Sequence, residues 1–293
     1  MSGPAARDAV RWRSLLAEVT ERLERAGIEN ARQEARWLVQ RAGGFSAAEL
    51  VLALERPAPE DATSRLQRMV ERRGRGEPLQ YVLGRWAFRT VELRVDERVL
   101  IPRPETEVLA GMALDEVRRL GARLAVDLGT GSGAIALSLA AEQPGLEVWG
   151  TDSSAGALAV AKANLAGLGE AAARVRLVEG DWFGALPGHL EGRVGVVVSN
   201  PPYVARHEVP DLPPEVREWE PERALVSGPA GDEDIGCIVA EAPRWLTRPG
   251  SLLVEMAPHQ VSGARRAALA AGFRSATIWP DLAGRDRILV ART

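Results

Sequence analysis

The sequence predicts an α/β fold: a doubly wound, mostly parallel, seven-stranded sheet with a small helical domain ahead of it and a β-hairpin joining the two. Three observations lead there. From Leu124 onward, short apolar runs alternate with amphipathic stretches, the pattern of strand and helix in turn. Over the first 76 residues apolar side chains instead recur at helical spacing. Between these regions Trp86/Phe88 and Val91/Leu93/Val95 alternate with polar residues, the period of a half-buried hairpin. Expected boundaries are 1–76 for the helical domain, 77–98 for the linker and hairpin, and 99–293 for the sheet domain.

In chain order, Trp12, Leu15, Leu16, Val19 and Leu23 share one face of a first helix that Gly27 stops. Ala31, Ala35, Leu38 and Val39 mark a second, ending at Gly43-Gly44. Ser46 with Glu49 is a capping box opening a third helix, closed before Pro57. A fourth runs from about Pro59 to Arg73 with Leu66, Met69 and Val70 inward. Nothing in these helices supplies chemistry, so they read as a packing or docking domain.

Strands follow at Leu124–Leu128, Leu146–Thr151, Val175–Glu179 and Val194–Ser199, with helices opening at Ser132 and Ser154. A long proline-rich segment, Tyr203–Pro229, reads as a loop without secondary structure that serves as lid or binding surface. Beyond it a helix is expected over about Asp232–Leu246, a strand at Ser251–Met256 and a helix from Val261. Terminal strands lie around Ala276–Trp279 and Arg287–Val290. A sheet wound in this way binds its ligand at the carboxyl ends of its strands.

Composition narrows the function classes. The 293 residues carry a net charge of −3 and a pI near 5.8, which argues against a protein that lives on duplex nucleic acid. Residues 1–76 hold 14 Arg against 11 acids, a mild asymmetry of solvated helix faces. One cysteine, Cys237, excludes a disulfide framework and a cysteine-based zinc site. His189, His207 and His259 lie far apart without ligand spacing, so no metal is expected. The N-terminus lacks an apolar signal core and no apolar stretch reaches membrane-spanning length, which fits a cytoplasmic protein.

The chemistry concentrates at successive strand ends. Asp127-Leu-Gly129-Thr130-Gly131-Ser132-Gly133 is a strand running into a glycine turn and then a helix. Glycines allow close approach of a ligand to the backbone. The spacing G-x-G-x-G departs from the dinucleotide pattern, and Asp127 ahead of it would repel a pyrophosphate but suit an ammonium group. Asp152, 21 residues after Gly131, ends the next strand where an acid takes both hydroxyls of a ribose. Asp181-Trp182 closes the third strand, an acid and a ring suited to adenine. Ammonium, ribose and adenine together describe S-adenosylmethionine better than NAD. Each acid alone is equally a cap or turn residue, and Trp182 alone a core ring; the coincidence in register is what favours a site.

Asn200-Pro201-Pro202-Tyr203 follows the fourth strand. Proline fixes its own φ and extends the residue before it, so this corner is stiff. The carboxamide of Asn200 and the carbonyl of Pro201 offer two fixed acceptors beside an aromatic ring, an arrangement suited to a planar NH2 group. Taken alone, the tetrapeptide is as well explained by a proline-rich turn.

With these motifs the chain resembles the class I S-adenosylmethionine-dependent methyltransferases. Within them it is similar to the glutamine N5-methyltransferases of peptide-chain release factors. The resemblance spans nearly the whole chain. It rests on Gln80–Gly84, Leu100-Ile101-Pro102-Arg103-Pro104-Glu105-Thr106-Glu107, Asp127–Gly133, Asn200–Tyr203, Glu220–Leu225 and Asp281–Arg287. It implies a Rossmann-like methyltransferase sheet and methyl transfer to the amide nitrogen of the glutamine in the GGQ motif of class 1 release factors. S-adenosylhomocysteine would be the product. Cofactor contacts would fall on Gly129, Thr130, Gly131, Ser132, Gly133, Asp152 and Trp182, and the glutamine on Asn200, Pro201, Pro202 and Tyr203. Gly228–Cys237 departs from the family's shorter glycine and acid run.

The implied chemistry has Asn200 Oδ1 and the Pro201 carbonyl accept the two amide hydrogens while the ring of Tyr203 packs on the flat amide. Arg103 and Glu105 either shape the cofactor or peptide site or form a structural pair. Neither a membrane nor direct nucleic-acid contact is expected. The alternatives are glutamine methylation of a ribosomal protein, adenine-N6 methylation of nucleic acid, and a non-catalytic nucleotide-binding scaffold.

Overall fold

Helical spacing at the start of the chain does produce helices. The structure is a computed structural model that describes residues 10–293. The chain divides between Gly84 and Arg85 into two units. The first nine residues of the expected helical domain lie outside the described residues.

In the first unit α1 (Trp12–Arg25) buries Trp12, Leu15, Val19 and Leu23 along one face. The Trp12 ring meets Phe45 edge-on, with centroids 5.2 Å apart. α2 (Ala31–Gly43) ends on Gly44 in the left-handed conformation. The capping box that opens α3 (Ala47–Ala53) is formed: Glu49 N–H donates to Ser46 Oγ, and Ser46 N–H to Glu49 Oε2 at 2.8 Å. α4 (Glu60–Gly74) buries Leu66, Met69 and Val70. It also carries the buried Arg73, paired with Glu34 at 2.6 Å. A short α5 (Leu79–Leu83) completes the unit, so the division falls after it.

The second unit opens with the hairpin β1 (Arg85–Phe88) and β2 (Val91–Arg94), paired antiparallel. Asn164 ties it down by accepting from Arg94 N–H at 2.7 Å and donating to the Arg94 carbonyl. Next comes α6 (Pro104–Leu120), a helix absent from the expected strand–helix series. Its signals are in the sequence: proline at the first position, apolar Leu109, Ala110, Ala113, Leu114 and Val117, and Gly121 left-handed at its end.

The alternation then runs as expected: β3 (Leu124–Leu128), α7 (Ala134–Glu142), β4 (Glu147–Asp152), α8 (Ala155–Leu165), β5 (Val175–Glu179) and β6 (Val194–Ser199). The Tyr203–Pro229 segment differs from expectation. It contains β7 (Val204–Ala205), α9 (Pro214–Trp219) and β8 (Val226–Gly228), with β7 and β8 forming a small parallel ladder. Pro213 and Pro214 start a helix here, Pro214 occupying its first turn where no N–H is needed. α10 (Glu233–Trp245), β9 (Leu246–Glu255), α11 (Val261–Ala270), β10 (Ser275–Pro280) and β11 (Asp286–Arg292) finish the chain.

The main sheet has seven strands in the order β10-β11-β9-β6-β3-β4-β5. Only β11 runs antiparallel to its neighbours, so the α/β, doubly wound, mostly parallel expectation holds. Strand order reverses beside β3: the chain moves outward through β4 and β5, then returns to β6 on the other side. That reversal opens a crevice at the carboxyl ends of these strands. All six residues of β6 are buried. Each of its valines contributes about 1.5–3 kcal/mol of burial, which anchors whatever follows Ser199.

Candidate active site

At that crevice lies a cleft of about 280 Å³. Its walls include Gly129, Thr130, Gly131 and Ser132 after β3, Asp152 after β4, Asp181 and Trp182 after β5, and Asn200 and Pro202 after β6. Residues expected from four separate strand ends therefore line one cavity.

The glycine turn is held from behind. Asp127 is fully buried in β3, and its Oδ2 accepts from Thr130 Oγ1 at 2.6 Å and from Ala136 N–H at 3.0 Å. Burial pushes its carboxyl up to about 7. Asp127 is absent from the cleft wall and its Oδ2 holds the turn that forms that wall, while its Oδ1 is buried and accepts from no protein group. Gly129 has a φ of 71°, and a Cβ there would come 3.2 Å from the Trp182 ring, so glycine is required twice over. Trp182 itself sits at φ 43°, rare for so large a residue, and its ring is packed against the turn.

Asp152 sits between the glycine turn and α8. Its Oδ2 accepts from Gly131 N–H at 2.9 Å and its Oδ1 from Ser154 N–H at 2.8 Å. Each oxygen keeps a further lone pair, and burial raises its pKa. An adenosyl group fits these donors and acceptors: a carboxylate with spare acceptor capacity for a diol, exposed Asp181 and the Trp182 ring for the base, and a glycine turn open to close approach.

Asn200 has the most informative geometry. Its Nδ2 donates to Thr106 Oγ1 at 3.0 Å, and the Thr106 hydroxyl donates to Glu255 Oε2 at 2.9 Å. Asn200 Oδ1 is buried and accepts from no protein group. A buried acceptor without a partner is unfavourable by roughly 1–3 kcal/mol unless a ligand satisfies it. Among the described residues no backbone N–H donates to the Pro201 carbonyl either. Thr106 comes from the first turn of α6 and Glu255 from the end of β9, which lies beside β6 in the sheet.

Tyr203 departs from its expected place. It packs against the core and is absent from the cleft wall. Burial is the main reason its phenol is raised. Its backbone is fixed at both ends: Tyr203 N–H donates to Leu225 C=O, and Gln260 Nε2 donates to the Tyr203 carbonyl at 2.9 Å. Pro201 is buried and Pro202 reaches the cleft.

Arg103 and Glu105 each take a separate partner. Neither lines the cleft and they do not pair with each other. Arg103 pairs with buried Glu220, which also accepts from Ile101 N–H at 3.2 Å, so these contacts clamp the 203–229 segment over the cleft. Glu105 pairs with Arg285 at 2.9 Å. Arg285 in turn holds buried Asp281 at 2.8 Å, and Asp281 faces Arg287 at 3.3 Å. The atypical stretch Gly228–Cys237 is ordered by Glu233, which accepts from Ala230 N–H and Gly231 N–H, both at 2.8 Å.

Sequence reasoning passed over Thr106, Glu255 and Arg223 as site residues. Arg223 lines the cleft and donates to Ser153 Oγ at 3.2 Å. An acid closing an apolar strand was the available signal for Glu255. Among the described residues no cluster of His, Cys, Asp or Glu is arranged to hold a metal, and no helix is long and apolar enough to cross a membrane.

Comparisons with known proteins fit this geometry. Residues 14–84 match the PrmC N-terminal domain and residues 107–212 the Methyltransferase small domain. The release factor glutamine methyltransferase of Cereibacter sphaeroides is 40% identical over 277 residues, covering 94% of this chain and 96% of that protein. That of Moorella thermoacetica is 38% identical over 281 residues, covering 95% and 97%. Among solved structures, the human Mettl16 catalytic domain in complex with a MAT2A 3′UTR hairpin superposes with a TM-score of 0.57 at 14% identity. That match covers 79% of this chain and 81% of the other, and at such identity it speaks to the fold alone. Likeness of this extent to the curated relatives, running through both units, makes the chain a member of the release factor glutamine methyltransferase family.

Proposed function

We propose that the chain transfers a methyl group from S-adenosylmethionine to the side-chain amide nitrogen of the glutamine in the GGQ motif of class 1 peptide-chain release factors. In this reading residues 1–76 dock the protein substrate, 77–98 form the linker and hairpin, and 99–293 carry the transfer. The observation that carries it is the uncommitted Asn200 Oδ1, an acceptor on the cleft wall whose amide nitrogen is already occupied by Thr106.

Asp152 would accept the ribose hydroxyls, and Gly129, Thr130, Gly131, Ser132 and Gly133 would let the adenosyl group approach the backbone. Asp181 and Trp182 would flank the base. Bound there, the cofactor supplies a methyl group already activated on a sulfonium. An amide nitrogen is a weak nucleophile because its lone pair is shared with the carbonyl. Asn200 Oδ1 and the Pro201 carbonyl each accept one hydrogen of the substrate NH2, turning its lone pair toward the methyl carbon. As the N–C bond forms and the C–S bond breaks, the nitrogen becomes cationic and both hydrogen bonds strengthen. That is stabilisation of the transition state rather than of the substrate. The nitrogen then loses its proton to water, so no histidine base is needed. Pro202 at the cleft wall holds the planar amide in place, and Tyr203 braces the corner from behind.

Labelled cofactor offered with a release factor, its glutamine-to-alanine loop variant and duplex DNA tests the proposal. Label should appear on the intact factor alone. Label on the DNA, or on the loop variant as strongly as on its parent, would overturn it.

A further inference from the structure

Asn200 can offer either its oxygen or its NH2 to a ligand, and the two outcomes are opposite for a substrate that brings only hydrogens. Nothing in the carboxamide itself chooses. The choice lies in the chain of hydrogen bonds behind it, Asn200 Nδ2 to Thr106 Oγ1 at 3.0 Å and Thr106 Oγ1 to Glu255 Oε2 at 2.9 Å.

A threonine hydroxyl has one hydrogen to give. With Glu255 taking it, Thr106 has only a lone pair for Asn200, and only the NH2 end of the carboxamide can use that. Oδ1 is thereby turned outward as the free acceptor. We propose that Thr106 and Glu255 are positioning residues that fix the polarity of the Asn200 carboxamide, and that an ionised Glu255 is required for the acceptor orientation. The proposal rests on the methyl-transfer reading given above and adds Glu255, which that reading does not use, and a requirement for its charge.

The environment of Glu255 fits a group that switches. Burial pushes its carboxyl up to about 7, while the Thr106 hydrogen bond and Arg287 on β11 hold it down and Glu105 on α6 and Asp281 raise it. The Tyr203 phenol also faces it. A protonated Glu255 is a donor toward Thr106. The Thr106 hydrogen then points at Asn200, the carboxamide turns over, and two NH2 groups meet where one hydrogen bond should form. A residue that only filled space would have no such dependence on its charge.

The test uses the full-length protein with a release factor and saturating cofactor, following kcat against pH in the wild type, Thr106→Val, Thr106→Ser and Glu255→Gln. Thr106→Val keeps the shape and removes the hydroxyl; kcat should drop about 10- to 100-fold, the scale seen when a partner that orients a functional ligand is lost. Thr106→Ser should restore it. The wild type should lose activity on the acid side, and Glu255→Gln, which accepts without titrating, should lack that limb. Cofactor affinity by calorimetry and the melting transition should match the wild type in Thr106→Val, which separates positioning from misfolding. Wild-type kcat in Thr106→Val, or an acid limb of equal midpoint in Glu255→Gln, overturns the proposal. Failure of the wild type to label the release factor instead removes the function reading, and the relay with it.

Discussion

Replacing Glu255 by glutamine should make the protein more stable in alkaline solution while leaving it little changed in acid. Glu255 is 2% exposed at the end of β9, and its carboxyl is raised from an ordinary 4.5 to about 7. The shift already includes the favourable contacts with Thr106 and Arg287, so it measures the net penalty of holding a charge there. Below pH 4.5 the group is protonated both folded and unfolded and no penalty exists. As pH rises through about 7 the folded protein must give up a proton it holds more tightly than the unfolded chain does, and stability is lost. A carboxyl held that far above its ordinary value corresponds to a penalty on the order of 3 kcal/mol. Glutamine keeps the acceptor for Thr106 and carries no charge. The measurement is urea unfolding of both proteins, without ligand, across this pH range. Only the difference between them is read, because Asp127, also raised to about 7, contributes equally to both. That difference should grow by about 3 kcal/mol in favour of Glu255→Gln between the acid and alkaline ends. Parallel stability curves would refute the reasoning. So unfavourable an ionised group, hydrogen-bonded to the cleft residue Thr106, is what a functional role would produce.

Other expected outcomes follow from the same contacts. Asn200→Ala should lower kcat about 10²–10³-fold, as for loss of a transition-state hydrogen bond, with cofactor binding still measurable by calorimetry; near-normal turnover would remove the mechanism. Asp152→Ala should weaken cofactor binding strongly in the same assay, and unchanged affinity would end its ribose role. Gly129→Val forces branching at a φ of 71° against the Trp182 ring, and should abolish cofactor binding while the helical unit stays folded by circular dichroism. Glu220→Gln removes the charge that holds Arg103, so limited proteolysis within residues 206–219 should quicken; an unaltered cleavage rate would show that the clamp does not hold the segment.

How much of this was readable in the sequence depended on how local the cause was. β3 and β6 coincide residue for residue with the strands expected from the sequence, because strands buried in a parallel sheet need no partner information to be seen. Ser46 and Glu49 announced α3 for the same reason, both halves of the capping box lying within one turn. α6 had local signals as well. They are overlaid by the Pro104–Glu107 motif, and the helical spacing begins only at Thr106 and Leu109. The Tyr203–Pro229 segment misled through its prolines, which there start a helix instead of preventing one. Side-chain partnerships were the real limit. Arg103 finds Glu220, Glu105 finds Arg285, and Thr106 finds both Asn200 and Glu255, all across distances in sequence that only strand order can close. For Asp127, the sequence does not reveal that one carboxylate oxygen is committed to the turn behind the cleft.

β6 is enclosed on both edges, by β3 and by β9, and the acceptor corner hangs directly from its end. A bracket mounted on so immobile a post can do little to recognise its customer. On the proposed reading, it would greet any flat amine that arrives at the right height. If the corner acts as proposed, discrimination among amines falls to parts outside it, such as the clamped 203–229 segment. Redesign aimed at a new acceptor should leave the bracket alone and rebuild its surroundings.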